Sequence, residues 1–249
     1  CKRLCSNDVD DFFRPIGSEV ARVKGTYSMQ CYKETLESAF LDHCKRRGEL
    51  PEEVLENTDM FILHTPFRNF PEISMLMLLE KYLGLNKEQA RAFLSARGFY
   101  DGLDPIADIG NLFTGAMYLN LAYALRGQYN RCGDDIRGKN VLMASYGSGN
   151  TMAVISGRVS ENAPEVIARW DLDKLFGGAR EASYEEYEQW IKGPYEPTGL
   201  NMSPVRDESI KPDFALESIR EDGYREYAIR KQINTEQKSK TPVHLFRSA

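Results

Sequence analysis

An uninterrupted apolar run of four residues, Met60-Phe61-Ile62-Leu63, lies between two longer stretches whose apolar residues recur every three or four positions. A run this short, without a polar residue, is typical of a strand that is buried on both faces. The flanking stretches, 28–47 and 71–83, have the periodicity of helices, with Ser28 as the expected N-cap of the first. The chain is therefore expected to combine helices with at least one fully buried strand.

A strand hairpin is predicted near residue 150. Residues 139–144 and 152–159 have strand character, and the glycine-rich turn between them favours a hairpin. Residues 112–125 are apolar on nearly every face, which predicts a central buried helix that ends at Arg126-Gly127. The other expected elements, in chain order, are an extended or looped N-terminal segment (1–25), a short helical turn (52–56), a second short helix (87–97), a loop (98–111), a polar helix (184–192), a Pro-rich loop (193–212), two closing strands (214–219 and 224–230) and a polar tail (232–249).

The composition is that of an ordinary globular protein. With 249 residues, 42% apolar and 28% charged, the chain can bury a core and is neither disordered nor fibrous. Its net charge of −5 argues against nucleic acid as a partner. Five scattered cysteines without a CxxC pair favour neither disulfides nor a metal site, so a cytoplasmic location is expected. We find no membrane-spanning run and no signal peptide, and the start at Cys1 suggests that the beginning is missing.

Three groups of residues lie where predicted elements end or turn, positions at which catalytic side chains are commonly displayed. His64 follows the buried strand, where it is either an acid-base or hydrogen-bonding group or a core histidine bonded to a backbone carbonyl. Asn111 precedes the central helix, where it either caps the helix or stabilises an oxyanion beside the helix dipole. Ser148 lies in a turn whose glycines let a ligand approach the backbone, although plain hairpin turns also use Gly-Ser-Gly.

Other nucleophile candidates are less well supported by the sequence. Cys31 lies inside the first helix and not at a helix N-terminus, where a thiolate would be stabilised, so we predict a buried structural cysteine. His43 on the same helix is predicted to lie on the surface. The turn around Ser148 lacks the GxSxG spacing of serine hydrolases, because Tyr146 stands two residues before the serine.

Five segments occur in a characteristic order along the chain. They are Asp11-Phe12-Phe13-Arg14-Pro15, Tyr27-Ser28-Met29-Gln30-Cys31-Tyr32, His64-Thr65-Pro66-Phe67, Ile109-Gly110-Asn111-Leu112-Phe113-Thr114-Gly115 and Ser145-Tyr146-Gly147-Ser148-Gly149. Together with the closing strands they resemble the C-terminal half of hydroxymethylglutaryl-CoA synthases, including the related enzymes that install β-branches on carrier-protein-bound polyketides. The resemblance implies an α/β, thiolase-like fold over residues 26–231, as a mixed five-stranded sheet with helices on both faces.

The resemblance also implies a reaction. In this family an acetyl group carried on a cysteine loses a proton to a glutamate, the carbanion attacks the ketone of an acetoacetyl thioester, and water releases the product. His64 matches the histidine that polarises the acetoacetyl carbonyl, and Asn111 matches the asparagine that binds oxygens of the same substrate. Ser148 matches the serine region that lines the acyl site and oxyanion hole.

Further substrate-binding residues are implied by the same match: Pro66, Phe67, Arg68, Tyr146 and Gly147. Where the family has lysines that reach the CoA phosphates, this chain offers Arg68 as its single cation. The thioester is thus expected to be either CoA or a phosphopantetheine on a carrier protein, and no other cofactor is implied.

The cysteine and glutamate of the reaction belong to the family's N-terminal half, and Cys31 matches a position that is not catalytic. We therefore expect an acyl-condensing enzyme whose acceptor-binding half is this chain, with an N-terminal half as partner and a homodimer as the assembly. Two alternatives stay open: a non-catalytic thioester-binding or scaffold domain, and a thioester hydrolase that uses His64 as its base.

Overall fold

The structure is a computed structural model that describes residues 2–18, 20–177, 179–192, 214–221 and 224–229. The chain divides into two units, Cys1–Leu172 and Asp173–Ala249, and all candidate site residues lie in the first. The domain boundaries expected at residues 25 and 231 stay predictions. The elements up to the start of the second unit are β1 (Lys2–Ser6), β2 (Phe12–Phe13), β3 (Arg22–Val23), α1 (Gly25–Arg47), α2 (Pro51–Glu56), β4 (Met60–Leu63), α3 (Asn69–Leu83), α4 (Lys87–Ala96), α5 (Phe99–Leu103), α6 (Pro105–Ile109), α7 (Gly115–Cys132), a 3-10 turn (Gly133–Ile136), β5 (Asn140–Gly147), β6 (Thr151–Arg158), α8 (Ala163–Ala168) and α9 (Leu172–Gly177).

A mixed sheet with the strand order β1-β6-β5-β4 organises the first unit. The predicted hairpin is formed by β5 and β6, which pair antiparallel, while β4 runs parallel to β5 with Leu63 opposite Ala144. β1 pairs antiparallel with β6 at the other edge. Within the described residues this sheet has four strands and not the five expected. One of the four, β1, comes from the N-terminal segment, and the closing strands form a two-stranded sheet.

Helices cover both faces of the sheet, as expected, and this cover explains the apolar run in β4. Alternate side chains of a strand point to opposite faces. Phe61 and Leu63 pack into a cluster with residues of α1 and α3, whereas Met60 and Ile62 pack into a second cluster with residues of α7. All four side chains are buried, so none can be polar without losing its hydration.

Several helix boundaries differ from the predictions, including the start of α1 and the end of α7. α1 begins at Gly25, with Lys24 and not Ser28 at its N-cap. α7 continues through Gly127 to Cys132. A Cβ at Gly127 would lie 2.9 Å from the Cβ of Asp101 in α5, so this glycine serves close helix packing and does not end the helix. The predicted loop 98–111 contains the short helices α5 and α6.

The second unit contains α10 (Tyr184–Lys192), β7 (Phe214–Ile219) and β8 (Arg225–Ile229). These elements confirm the predicted polar helix and the closing strands, which pair antiparallel. The predicted Pro-rich loop 193–212 and the predicted tail 232–249 lie outside the described residues. Across the described part of the chain, we find no helix with both the length and the apolar character needed to cross a bilayer.

Candidate active site at the end of strand β4

His64 directly follows β4, and its backbone is held from two sides. Its N–H donates to the Ala144 carbonyl of β5 at 2.8 Å, which extends the parallel pairing by one residue. Its carbonyl accepts a hydrogen bond of 2.9 Å from the hydroxyl of Tyr32 in α1, a completely buried side chain. Because both groups are bonded inside the protein, the core fixes the backbone from which the imidazole projects.

The imidazole of His64 is buried and neutral. Only 6% of the residue is exposed, and burial lowers its pKa to about 4. The ring stacks on Tyr146, with centroids 6.4 Å apart and planes inclined by 28°. Its buried Nδ1 has no hydrogen-bond partner among the described residues. A neutral imidazole carries one N–H donor and one acceptor, so it can donate to a carbonyl oxygen without carrying a charge.

Tyr146 and the turn after it are held by a buried carboxyl group, Asp11. Asp11 accepts hydrogen bonds from the Tyr146 hydroxyl at 2.6 Å and from the Gly149 N–H at 2.9 Å, and the Ser28 hydroxyl lies at 3.5 Å. Burial and the bond to Asp11 raise the pKa of Tyr146, so its phenol stays protonated and remains a donor. Asp11 thus connects the N-terminal segment to both the ring beside His64 and the hairpin turn.

Ser148 lies at the exposed tip of that turn, next to exposed Gly147. Gly149 has φ of +116°, a conformation that residues with a side chain rarely adopt. Asn150 anchors the far side of the turn, because its buried side-chain amide donates to the hydroxyl of Thr35 at 2.8 Å. The turn therefore presents the Ser148 hydroxyl and nearby backbone on a rigid base.

Asn111 is not the N-cap of the central helix. α7 begins at Gly115 with Thr114 at its N-cap, and Asn111 lies exposed before that turn. Its Oδ1 accepts a hydrogen bond of 2.8 Å from the N–H of Phe113, a local turn of the type that asparagine commonly forms. This bond uses the side-chain oxygen and orients the amide NH₂, a pair of donors.

Arg68 is engaged in ion pairs. Its guanidinium donates to Asp104 at 2.7 and 3.0 Å and to Glu72 at 2.6 Å, and Glu72 also accepts from Arg91 at 2.8 Å. A phosphate at Arg68 would compete with two carboxylates. Phe67 beside it is 57% exposed.

The structure brings some of the predicted residues together directly. His64 and Tyr146 share a ring contact, Gly147 ends the strand that carries Tyr146, and Ser148 begins the turn after it. Asn111 and Arg68 come from two other segments, with Pro66 half-buried between His64 and Phe67.

The family described as "Hydroxymethylglutaryl-coenzyme A synthase C terminal" matches residues 5–98 and 101–230. The chain belongs to this family. The mitochondrial hydroxymethylglutaryl-CoA synthase of Bos taurus is 27% identical over 273 residues, which cover 90% of this chain and 53% of the relative. The chain thus spans about half the length of the curated relatives it matches.

Solved structures of hydroxymethylglutaryl-CoA synthases confirm the thiolase-like fold expected from the sequence. MvaS in complex with 3-hydroxy-3-methylglutaryl coenzyme A matches with a TM-score of 0.72 and 28% identity, over 92% of this chain and 57% of that one. The curacin-pathway HMG synthase in complex with acetyl donor-ACP matches with a TM-score of 0.76 over 92% and 56%. At 21% identity, the second match shows the fold alone.

Two predictions about other residues of this synthase-family chain can be judged from burial. Cys31 is buried, as predicted, and burial raises the pKa of its thiol, which disfavours the reactive thiolate. The surface position predicted for His43 is wrong, because it is completely buried on the core side of α1, one turn from Ala39 and Phe40.

Asp11 was not predicted as a site residue, although it begins one of the five characteristic segments. The sequence offered one signal, an acidic residue directly before two aromatic ones, Phe12 and Phe13. Its partners, Tyr146 and Gly149, lie far away along the chain, so spacing could not reveal the contact.

Proposed function

We propose that this chain supplies the acceptor-binding half of an acyl-thioester condensing enzyme of the hydroxymethylglutaryl-CoA synthase type. The observation that carries the proposal is the buried, neutral imidazole of His64, stacked on Tyr146 at the end of β4. Family membership supports it, because the matched residues include each of the segments that carry His64, Asn111 and Ser148. The nucleophilic cysteine and the glutamate base belong to the N-terminal half of the family, which acts with this chain.

His64 is proposed to act on the ketone of the acceptor. In the condensation, a C–C bond forms between the acetyl carbanion and the ketone carbon, and the π electrons of the C=O bond move to oxygen. The N–H of the neutral imidazole donates a hydrogen bond to this oxygen as its charge develops. Because the ring is buried against Tyr146, the donor is oriented before the reaction and costs little reorganisation.

Asn111 and the turn of Ser148 are proposed to hold the thioester. The Asn111 amide offers N–H donors to a substrate oxygen, since its own oxygen is engaged by Phe113. The exposed Ser148 hydroxyl and the neighbouring Gly147 allow close approach of the acyl group. Pro66 and exposed Phe67 offer apolar surface to the pantetheine arm.

The thioester is proposed to be carried by CoA or by the phosphopantetheine of a carrier protein. Solved relatives of both kinds exist, one with a CoA ester and one with a donor carrier protein. Pairing of Arg68 with Asp104 and Glu72 favours a carrier protein, because a guanidinium already paired with two carboxylates binds phosphate less well, and CoA brings three phosphate groups where a phosphopantetheine arm brings one. A cytoplasmic homodimer is part of the proposal: the family resemblance supports the dimer, and the four cysteines of the described residues, all unpaired, support the location.

The proposal is tested with this chain assembled with the family's N-terminal half, as one polypeptide or two. We expect the assembled protein to accept acetyl groups on its cysteine, measured by intact mass. It should then convert acetoacetyl thioesters, presented on CoA and on a carrier protein, to the condensed product. Binding of the acceptor without product would instead support the non-catalytic thioester-binding domain. Hydrolysis of the acceptor by this chain alone would support the hydrolase.

A further inference from the structure

Asn120, in the second turn of α7, is a completely buried amide that the proposed chemistry does not use. It reaches the edge of the sheet next to His64. Its Nδ2 donates to the Leu63 carbonyl at 3.2 Å and lies 3.5 Å from the hydroxyl of Thr65. The Thr65 hydroxyl in turn donates to the same Leu63 carbonyl at 3.0 Å. Asn120 therefore contacts the residues on both sides of His64.

The direction of the Leu63 carbonyl explains why a donor is needed there. Successive residues of a strand direct their backbone groups to opposite sides. Since the His64 N–H faces β5, the Leu63 carbonyl faces the other side of β4, which is an edge of the sheet within the described residues. A buried carbonyl without a donor is destabilising, and here the Asn120 amide and the Thr65 hydroxyl both donate where a neighbouring strand would otherwise pair.

Burying the Asn120 amide also costs free energy that an apolar side chain at this position would not. Its Oδ1 is buried and has no hydrogen-bond partner among the described residues. Gly102 of α5 approaches it so closely that a Cβ there would collide with Oδ1 and lie 2.6 Å from the Asn120 backbone oxygen. This contact leaves the amide little room to turn, which keeps Nδ2 directed at Leu63. Buried acceptors without partners are rare and call for an explanation.

We propose that Asn120 is a positioning residue for His64. Its amide fixes the peptide groups of Leu63 and Thr65, and thereby the direction in which the imidazole donates. This inference rests on the proposed function of His64 in condensation. Reaction rates are sensitive to such positioning, because a displacement of about 1 Å can cost roughly 100-fold in rate.

The experiment compares Asn120→Leu, which is similar in size but lacks the amide, with the matched control Gln128→Leu. Gln128 is a buried amide two turns later on α7, and its Oε1 accepts from Arg131, which pairs with Asp101 of α5. In the assembled enzyme we expect Asn120→Leu to lower kcat for condensation by roughly 10- to 100-fold. Acetylation of the cysteine should change less than about twofold, and the KM for the acceptor less than the kcat. Gln128→Leu should leave the ratio of the two half-reactions unchanged.

A second readout does not depend on activity. Asn120→Leu should speed amide hydrogen exchange at residues 62–65, measured by mass spectrometry, while Gln128→Leu should not. Thr65→Val, which removes the hydroxyl that Asn120 approaches, should produce a smaller change of the same kind, even if Asn120→Leu folds poorly.

Unchanged exchange at residues 62–65 in Asn120→Leu and Thr65→Val would overturn the inference, as would equal loss of both half-reactions. Failure of the proposed function looks different: the unsubstituted enzyme would become acetylated but would condense no acceptor. The exchange comparison would then still decide whether Asn120 fixes the peptide groups around His64.

Discussion

The neutral state of His64 predicts a measurable loss of stability in acid. Burial lowers its pKa to about 4, against 6.5 for an unperturbed histidine. At pH 5, about 97% of unfolded chains carry a proton on this residue, but only about 9% of folded chains do. The unfolded state binds more protons, so stability falls as the pH falls through this window. The difference between pH 7.5 and pH 5 amounts to about 2 kcal/mol for this one group, and the full loss is reached below pH 4.

The assay is urea unfolding of this chain and of His64→Gln at both pH values. Glutamine is neutral and does not titrate, whereas the other ionisable groups titrate in both proteins. We expect the free energy of unfolding of the unsubstituted chain to fall by about 2 kcal/mol more than that of the variant between pH 7.5 and pH 5. Equal losses in the two proteins would show that the imidazole is not held neutral, and would refute the assignment of a neutral hydrogen-bond donor.

Much of the fold was predictable from the sequence because the sheet is covered on both sides. The run Met60–Leu63 is apolar without interruption, and the structure places β4 over the same four residues. The hairpin was predictable from its turn, since Gly147 and Gly149 mark the change of direction. β1 was not predicted as a strand, because Lys2–Ser6 is a short polar segment whose pairing depends on β6, far away in the sequence.

The site was predictable only as far as local sequence determines it. His64 was placed correctly at the end of β4, because a buried strand fixes the position of the next residue. The capping interpretation of Asn111 was wrong, since the helix begins four residues later and the asparagine oxygen bonds to a nearer N–H. Asp11, Tyr32 and Asn120 were not predicted as site residues, because each acts on the site through a contact distant in sequence. Periodicity carries no information about such contacts.

Three further predictions concern the site residues. In the assembled enzyme, His64→Ala and Asn111→Ala should each abolish condensation, measured as product formation, while acetylation of the cysteine measured by intact mass persists; equal loss of both steps contradicts their assigned roles. Arg68→Ala should raise the KM for the pantetheine-bearing substrate if the side chain exchanges its carboxylate partners for a phosphate, and an unchanged KM refutes that role. Both carboxylate oxygens of Asp11 accept hydrogen bonds in a fully buried site, one of them from Gly149. Asp11→Asn replaces one of these two oxygens with an NH₂ group. Because a buried donor then loses its acceptor, the free energy of unfolding in urea should fall by roughly 1–3 kcal/mol. A variant as stable as the unsubstituted chain would show that Asp11 does not hold the turn.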